Sequence, residues 1–373
     1  MKPVIFLLIL VISASAAPVA EAFTFEGYDI KLTGKAGETY DDNVAYREDN
    51  VKDDLITNLT AGIDVTKESK TWQAGLKGSV KQEVFAFNRG FNNLSEDMTL
   101  DFRKEFTKYD RVSLTDSFLH AEEPTTFEDA FGSRAGRYGY YRNILDLRYE
   151  KDMTKQMSLS AGYTSGIYIP SRSGYSDSYF NRGGLTVSFL PSSETVFSLS
   201  YDLAFRDFDP GGDIMKNTAL AGIRQYLTPQ IYYDCMAGAD FSRSIDHKNY
   251  TTVNLMMSLT DEFSETASAS VKLEKRYNDT YYSTDLSDYW QLSGTFKKRL
   301  LERLSANASA NYSQGEYIRT GSTDKYFGAR LGLSYDIKEN IQGNLSYSYS
   351  QKDSGGGAGY DKNVISAGVN VAF

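Results

Sequence analysis

The sequence predicts an all-β chain, a transmembrane antiparallel up-and-down β-barrel of about 18 strands joined by short periplasmic turns. Three observations predict it. Ile365, Ala367, Val369, Val371 and Phe373 alternate with Ser366, Gly368, Asn370 and Ala372, a period-two strand with one apolar face and one small or polar face. Such a strand is stable only with its edges paired, and in a bilayer every backbone N–H and C=O must find a partner within the protein, which a closed barrel supplies. Beyond the amino-terminal segment, no apolar stretch approaches the roughly 18 residues of a spanning helix. A mean hydropathy of −0.44 fits strands in which only alternate residues meet lipid. Finally, strand, tight polar turn, strand and longer loop recur as a unit every 35 to 45 residues or so, roughly hairpin by hairpin.

The elements follow in order. Lys2, the apolar run from Val4 to Ile12 and Ala20-Glu21-Ala22 read as a secretory signal peptide cleaved after Ala22, because the run is too short to span a bilayer. This divides the chain into a signal peptide, 1–22, and an outer-membrane β-barrel, 23–373. Alternation and turn chemistry place strands at 29–44, 55–66, 71–87, 94–106, 111–122, 140–152, 157–169, 179–190 and 195–208. Further strands fall at 216–227, 231–245, 249–262, 266–278, 288–300, 304–317, 325–336, 341–352 and 363–373. Sixteen is the alternative count if the first pair is mis-assigned. Hairpin turns lie at 107–110, 153–156, 191–194, 228–230, 263–265 and 337–340. The pattern is clearest where Phe197, Leu199, Tyr201, Leu203 and Phe205 oppose Ser198, Ser200, Asp202, Ala204 and Arg206. A soluble propeller would show four-stranded repeats, whereas the punctuation here is by hairpin.

Composition narrows the class further. Twenty-eight Tyr and 21 Phe against two Trp suit aromatic girdles. Cys235 is the single cysteine, so no disulfide framework is expected and strand pairing must hold the fold. A net charge of −9 argues against a nucleic-acid partner.

Function has to come from the lumen. The polar faces place Lys77, Lys81, Asp101, Arg103, Glu105, Asp146, Arg148, Glu150, Asp202, Arg206, Lys272, Glu274 and Arg330 inside, together with Asp64, Glu83, Asp234, Asp240, Lys297 and Arg299. A Lys or Arg on the lipid face at mid-depth costs about 2–4 kcal/mol, so inward is where they belong. They either line a water-filled conduit of mixed charge or fill the interior as cross-strand pairs, such as Arg103 with Asp146 or Glu105 with Arg148. The longest external connection, 123–139, carries Glu123, Glu128, Asp129, Arg134 and Arg137 and is either an inward constriction or a solvated loop. Tyrosines gather near the outer strand ends: Tyr140, Tyr141, Tyr281, Tyr282 and Tyr289, with Tyr138, Tyr168, Tyr175, Tyr179, Tyr317 and Tyr326. They form either a rim on which sugar rings stack or an interfacial girdle.

No enzyme is expected. His120 and His247 are the only histidines, and no spacing ties them to a nucleophile. No Cys/His metal spacing exists, no cofactor is called for, and Asp41, Asp42, Asp53 and Asp54 lack the Gly-punctuated order of an EF-hand.

Two stretches carry a resemblance. Lys35 to Val44, ending Tyr40-Asp41-Asp42-Asn43-Val44, and Asp53 to Ile63, with Asp54, Ile56, Leu59 and Gly62 spaced D-x-I-x-x-L-x-x-G, resemble the amino-terminal signature of the putative β-barrel porin 2 family. The ending on Phe373 is similar to the terminal strand of bacterial outer-membrane barrels, in which the final Phe is part of the insertion signal. The resemblance implies the outer membrane of a Gram-negative bacterium, with membrane lipid and the barrel assembly machinery as partners. It also implies a channel linked to surface polysaccharide export. The alternatives are a general-diffusion porin for small hydrophilic solutes and a non-conducting structural or adhesive barrel.

Overall fold

The computed structural model describes residues 23–122, 137–171, 175–278, 285–355 and 359–373. The strands are β1 (Phe23–Phe25), β2 (Tyr28–Asp41), β3 (Asp54–Glu68), β4 (Trp72–Phe85), β5 (Asn93–Thr107), β6 (Asp110–Ala121), β7 (Tyr140–Asp152), β8 (Met157–Pro170), β9 (Asp177–Phe189) and β10 (Thr195–Asp209). They continue with β11 (Gly212–Tyr226), β12 (Ile231–Arg243), β13 (Asn249–Ser264), β14 (Ala267–Asn278), β15 (Ser287–Leu301), β16 (Leu304–Tyr317), β17 (Thr323–Lys338), β18 (Ile341–Ser354) and β19 (Tyr360–Ala372). One 3₁₀ turn, Arg89–Phe91, follows β4.

Each strand from β2 onward pairs antiparallel with its chain neighbours, and β19 returns to β2, so the eighteen strands expected from the alternation close a barrel. At the seam Gly368 faces Gly37, and a Cβ on Gly37 would come 2.8 Å from the Ala367 carbonyl oxygen. That separation requires a residue without a side chain. β1 turns back onto the start of β2 through Glu26 and Gly27, both at positive φ, as a two-residue hairpin demands. Phe373 exchanges both backbone hydrogen bonds with Leu32, so the terminal edge is paired to its last residue.

Connections on the side of the termini are two to five residues long, whereas those on the opposite, extracellular side range from the two residues 210–211 to the longest of all, 122–139. Exposed apolar side chains form a belt around the outside, with Leu199 and Val253 at 65 and 59 % exposure. A belt that continues across nearly every strand is tolerable only against lipid tails.

The buried apolar clusters lie inside the barrel, toward its extracellular end. Val44, Ile56 and Phe85 form one with Phe91 beside it, and Tyr46, Tyr326 and Tyr360 form a second. Ala121, Tyr140 and Tyr168 make a third, and Phe208, Ile214 and Leu286 a fourth that Ile245 and Ile318 flank. Val44 and Tyr46 come from the first external connection and Leu286 from the one after β14, so external segments turn inward to cover the apolar upper wall. Covering each such side chain is worth about 1.5–3 kcal/mol.

Candidate functional site in the lumen

The two ends of the lumen differ. In the periplasmic half some charges pair along one strand, Arg103 3.8 Å from Glu105, Arg148 3.9 Å from Glu150 and Lys272 2.8 Å from Glu274, and others pair between neighbouring strands, as Arg224 of β11 does with Asp234 of β12. Lys77 stands 3.9 Å from Asp64 on the adjacent strand. Asp101 and Asp146 accept from the hydroxyls of Thr115 and Thr164. The side chains of Lys77, Arg103 and Arg148 keep 62, 59 and 64 % of their surface open. Side chains this exposed leave room for water around them.

The pairing expected of Arg103 with Asp146 and of Glu105 with Arg148 is corrected by the register. β6 separates β5 from β7 and sets Ser113 opposite both Arg103 and Arg148. The bridge between strands comes instead from Arg111, 3.4 Å from Glu150 on β7.

In the extracellular third the charges are buried. Lys362 lies 2.7 Å from Asp41, with 6 and 2 % of their side chains exposed, and its ammonium stands 3.7 Å from the Tyr46 ring centroid. Lys352 lies 3.3 Å from Asp324, also enclosed. Arg137, at the exit of the long external connection, is also fully covered. It donates to Glu83 at 2.7 Å and to Glu122 at 3.2 Å, and stacks over Phe85. The rest of that connection, read as either an inward constriction or a solvated loop, is 123–136 and lies outside the described residues. Lys81 reaches Glu83 along the same strand.

The hairpin of β14 and β15 leaves the wall. Its ladder with β13 runs only as far as Leu255 opposite Lys275, although β14 continues to Asn278. Had pairing continued, Tyr277 would have exchanged bonds with Val253. Instead the Tyr277 N–H donates to Asp240 of β12 at 3.0 Å, and its carbonyl accepts from Lys216 of β11 at 3.3 Å. Asp288 of β15 accepts from Thr252 on the inner face of β13 and from Lys275. The hairpin end is therefore folded into the lumen, with Leu286 seated against Phe208 and Ile214. In the neighbouring 244–248 turn, the Asp246 carboxyl is held below the ordinary carboxylate range. Burial alone would raise it, and the Lys248 backbone N–H and ammonium outweigh that.

The other sequence candidates fall as follows. Asp202 pairs with Arg182 at 3.0 Å, and Arg206 is buried against Ser178 and the Phe180 ring. Arg330 lines a chamber of about 580 Å³ with Asn58, Ser309 and Ser346. The tyrosines do not form one rim. Tyr140 and Tyr289 are buried inside the barrel, whereas Tyr141 faces outward at 42 % exposure. Tyr141 stacks on His120, ring centroids 4.4 Å apart. Tyr281 and Tyr282 lie outside the described residues. Tyr138 meets Tyr175 at 4.8 Å and shares its hydroxyl with Tyr168. The four carboxylates at 41, 42, 53 and 54 do not converge: Asp41 serves Lys362, Asp42 holds Asn363, and Asp54 accepts from the Phe87 and Asn88 backbone. Among the described residues no group of His, Cys, Asp and Glu is placed to hold a metal ion.

Comparison with solved structures shows the fold alone, that of a porin barrel. OpdK of Pseudomonas aeruginosa, solved with vanillate, aligns at TM-score 0.52 and 10 % identity, covering 92 % of this chain and 99 % of that one. OccAB4 of Acinetobacter baumannii aligns at TM-score 0.53 and 11 % identity over 95 and 100 % of the two chains. The FrpB iron transporter of Neisseria meningitidis aligns at 0.51 and 9 %, over 88 % of this chain and 62 % of that one. A comparison with curated proteins gives no match. With its closed wall and apolar belt, the chain is a porin-like barrel of a Gram-negative outer membrane. Residues 245–373, from the turn before β13 to the end, match the model of the family described as "Putative beta-barrel porin 2", the family that was expected, although on a different stretch from the residues 35–63 that carry the resemblance.

Proposed function

We propose that this barrel conducts small hydrophilic solutes, with a wet periplasmic vestibule leading to an outer third that inward-folded segments narrow. The observation that carries the proposal is the gradient of exposure along the lumen. Lys77, Arg103 and Arg148 are mostly open, while Glu83, Lys352 and Lys362 are enclosed. An interior filled to give a rigid structural barrel would bury charges at every depth. No reaction is assigned to the lumen. Residues 1–22 are proposed to be an export signal removed before assembly. A planar-bilayer recording of the refolded barrel in KCl tests the reading. Steady conductance is expected, and a silent membrane containing folded protein would favour the non-conducting barrel.

A second reading makes the solute a surface polysaccharide. The family resemblance supports it, as do the grouped tyrosines Tyr138, Tyr168 and Tyr175 inside the mouth, since sugar rings pack on aromatic faces. Discrete current blocks by added oligosaccharide would favour it. Current indifferent to every oligosaccharide tried would leave general diffusion.

A further inference from the structure

From the inner wall of β16–β18, we infer a binding subsite for a monoanionic sugar acid, held at Arg330. This deepens the channel reading by naming a solute class and rests on it for its physiological purpose. The chamber of about 580 Å³ that Arg330 lines holds two other cations, Lys81 and Lys362, and two carboxylates, Asp41 and Glu83. Both carboxylates are engaged. Asp41 takes Lys362, and Glu83 takes Lys81 and shares Arg137 with Glu122. Asp324, further up β17, takes Lys352. Among the described residues Arg330 meets no carboxylate, whereas Arg103, Arg148, Arg182 and Arg224 each have one. The surplus is therefore a single positive charge, placed at one guanidinium. One carboxylate matches it in charge and in its two-pronged shape. A phosphate group, with close to two negative charges at neutral pH, would leave one of them unmatched.

The neighbours of Arg330 supply the second, independent observation. The register sets Ser309 of β16 and Ser348 of β18 directly opposite it. Ser346, opposite Gly332, lines the same chamber. On its own strand the flanking inner positions are Gly328 and Gly332, and amides from β16 lie across both. A Cβ on Gly328 would stand 2.7 Å from the Asn311 Oδ1, and one on Gly332 2.8 Å from the Asn307 Oδ1. Residues without side chains thus let neutral amides fold in beside the guanidinium. Ser309 is exposed and Ser346 and Ser348 are half-buried, so their hydroxyls are within reach of a solute in the chamber. A hydroxyl both donates and accepts, and its natural complement is another hydroxyl. A sugar acid meets both demands, its carboxylate on Arg330 and its ring hydroxyls on the serines. Neutral sugars offer the hydroxyls without the charge, and simple anions offer the charge without the hydroxyls.

Isothermal titration of the detergent-folded full barrel reads binding whether or not the protein conducts, so failure here is separable from failure of the channel reading. Glucuronate, glucose, acetate and glucose 6-phosphate are the probes, at low ionic strength, where one ion pair is least screened. Glucuronate should bind at least about tenfold more tightly than any of the other three. Arg330→Gln should weaken it about tenfold, whereas Arg224→Gln, which removes the same charge elsewhere in the lumen, should leave it near wild type. Ser346→Ala combined with Ser348→Ala should weaken glucuronate several-fold and leave acetate unchanged. Heat-modifiable migration of each variant certifies its fold. Equal binding of glucose or acetate, no glucuronate binding to the folded wild type, or unchanged affinity in a folded Arg330→Gln barrel would overturn the subsite. Equal losses in Arg330→Gln and Arg224→Gln would do the same, since they would mean a diffuse field in place of a site. Tighter binding of glucose 6-phosphate would overturn the choice of a monoanion.

Discussion

Asp240 and Tyr277 belong to strands separated by β13, yet the Asp240 carboxylate accepts the Tyr277 backbone N–H at 3.0 Å. A lumen-facing side chain thereby replaces a ladder bond, and the Lys216 ammonium takes the Tyr277 carbonyl beside it. Two charged side chains satisfy the edge that β14 exposes when it leaves the wall, which is how the hairpin can sit inside without orphaned backbone groups. Its alternative position is equally clear, since Val253 would pair with Tyr277 if the ladder from Leu255 opposite Lys275 continued.

Asp240→Ala should therefore release the hairpin toward the wall. Loss of the acceptor leaves the inward Tyr277 N–H unsatisfied, a penalty of about 1–3 kcal/mol that favours re-pairing with β13. The expected result is a single-channel conductance at least about twofold above wild type, with heat-modifiable migration retained. Unchanged conductance in a folded variant would show that the hairpin does not narrow the path.

The periplasmic charges should tune permeation at little structural cost. The side chains of Arg103 and Arg148 are well over half exposed, and their pairs with Glu105 and Glu150 lie near 4 Å. Exposed pairs of that kind contribute about 0–1 kcal/mol. Arg103→Glu with Arg148→Glu should shift the reversal potential in a KCl gradient toward cation selectivity while the unfolding midpoint in urea stays near that of wild type. A large loss of stability without a selectivity change would mean that these charges fill the interior.

How much of this was legible in the sequence follows from what alternation encodes. A strand in a barrel wall repeats every two residues, so Phe197 to Phe205 and Ser198 to Arg206 declare their faces, and the closure through Phe373 follows from the need to pair an edge. Inward folding leaves no such periodic mark. Val44 and Leu286 look like ordinary loop hydrophobics until the structure sets them against Phe85 and Phe208. Asp240 is one inward carboxylate among many, and its selection as the partner of Tyr277 depends on where the β13–β14 ladder stops. Pairing Arg103 with Asp146 overlooked β6, whose Ser113 stands between β5 and β7 in the register. The tyrosines share a height but not a direction, because neighbours such as Tyr140 and Tyr141 point to opposite sides of the wall.

The buried pair of Lys362 and Asp41 predicts an asymmetry. Both side chains are enclosed, 2.7 Å apart, on the two strands that form the closing seam. Lys362→Met would leave the Asp41 carboxylate without its ammonium in a nearly dry site, a loss of about 3–5 kcal/mol. Combining it with Asp41→Leu should restore much of that, because a buried pair replaced by apolar side chains of similar size is often near neutral. Urea midpoints of the three variants check it. A double variant no more stable than Lys362→Met would refute the pairing as the cause.

The terminal strand should decide assembly rather than permeation. β19 pairs with β18 on one side and β2 on the other, and Phe373 closes the last rung with Leu32. Deleting 363–373 would expose the edges of β18 and β2 together, a template for aggregation that a barrel exists to avoid. The truncated chain should accumulate as aggregate and never show heat-modifiable migration. Phe373→Ser removes only the aromatic side chain, and both backbone bonds to Leu32 survive. If Phe373 marks the chain for insertion, this variant should appear in the outer membrane several-fold more slowly in a pulse-chase. The barrels that do form should have wild-type conductance and urea midpoint. A normal insertion rate for Phe373→Ser would remove that role from the residue, and normal assembly of the truncated chain would refute closure through β19.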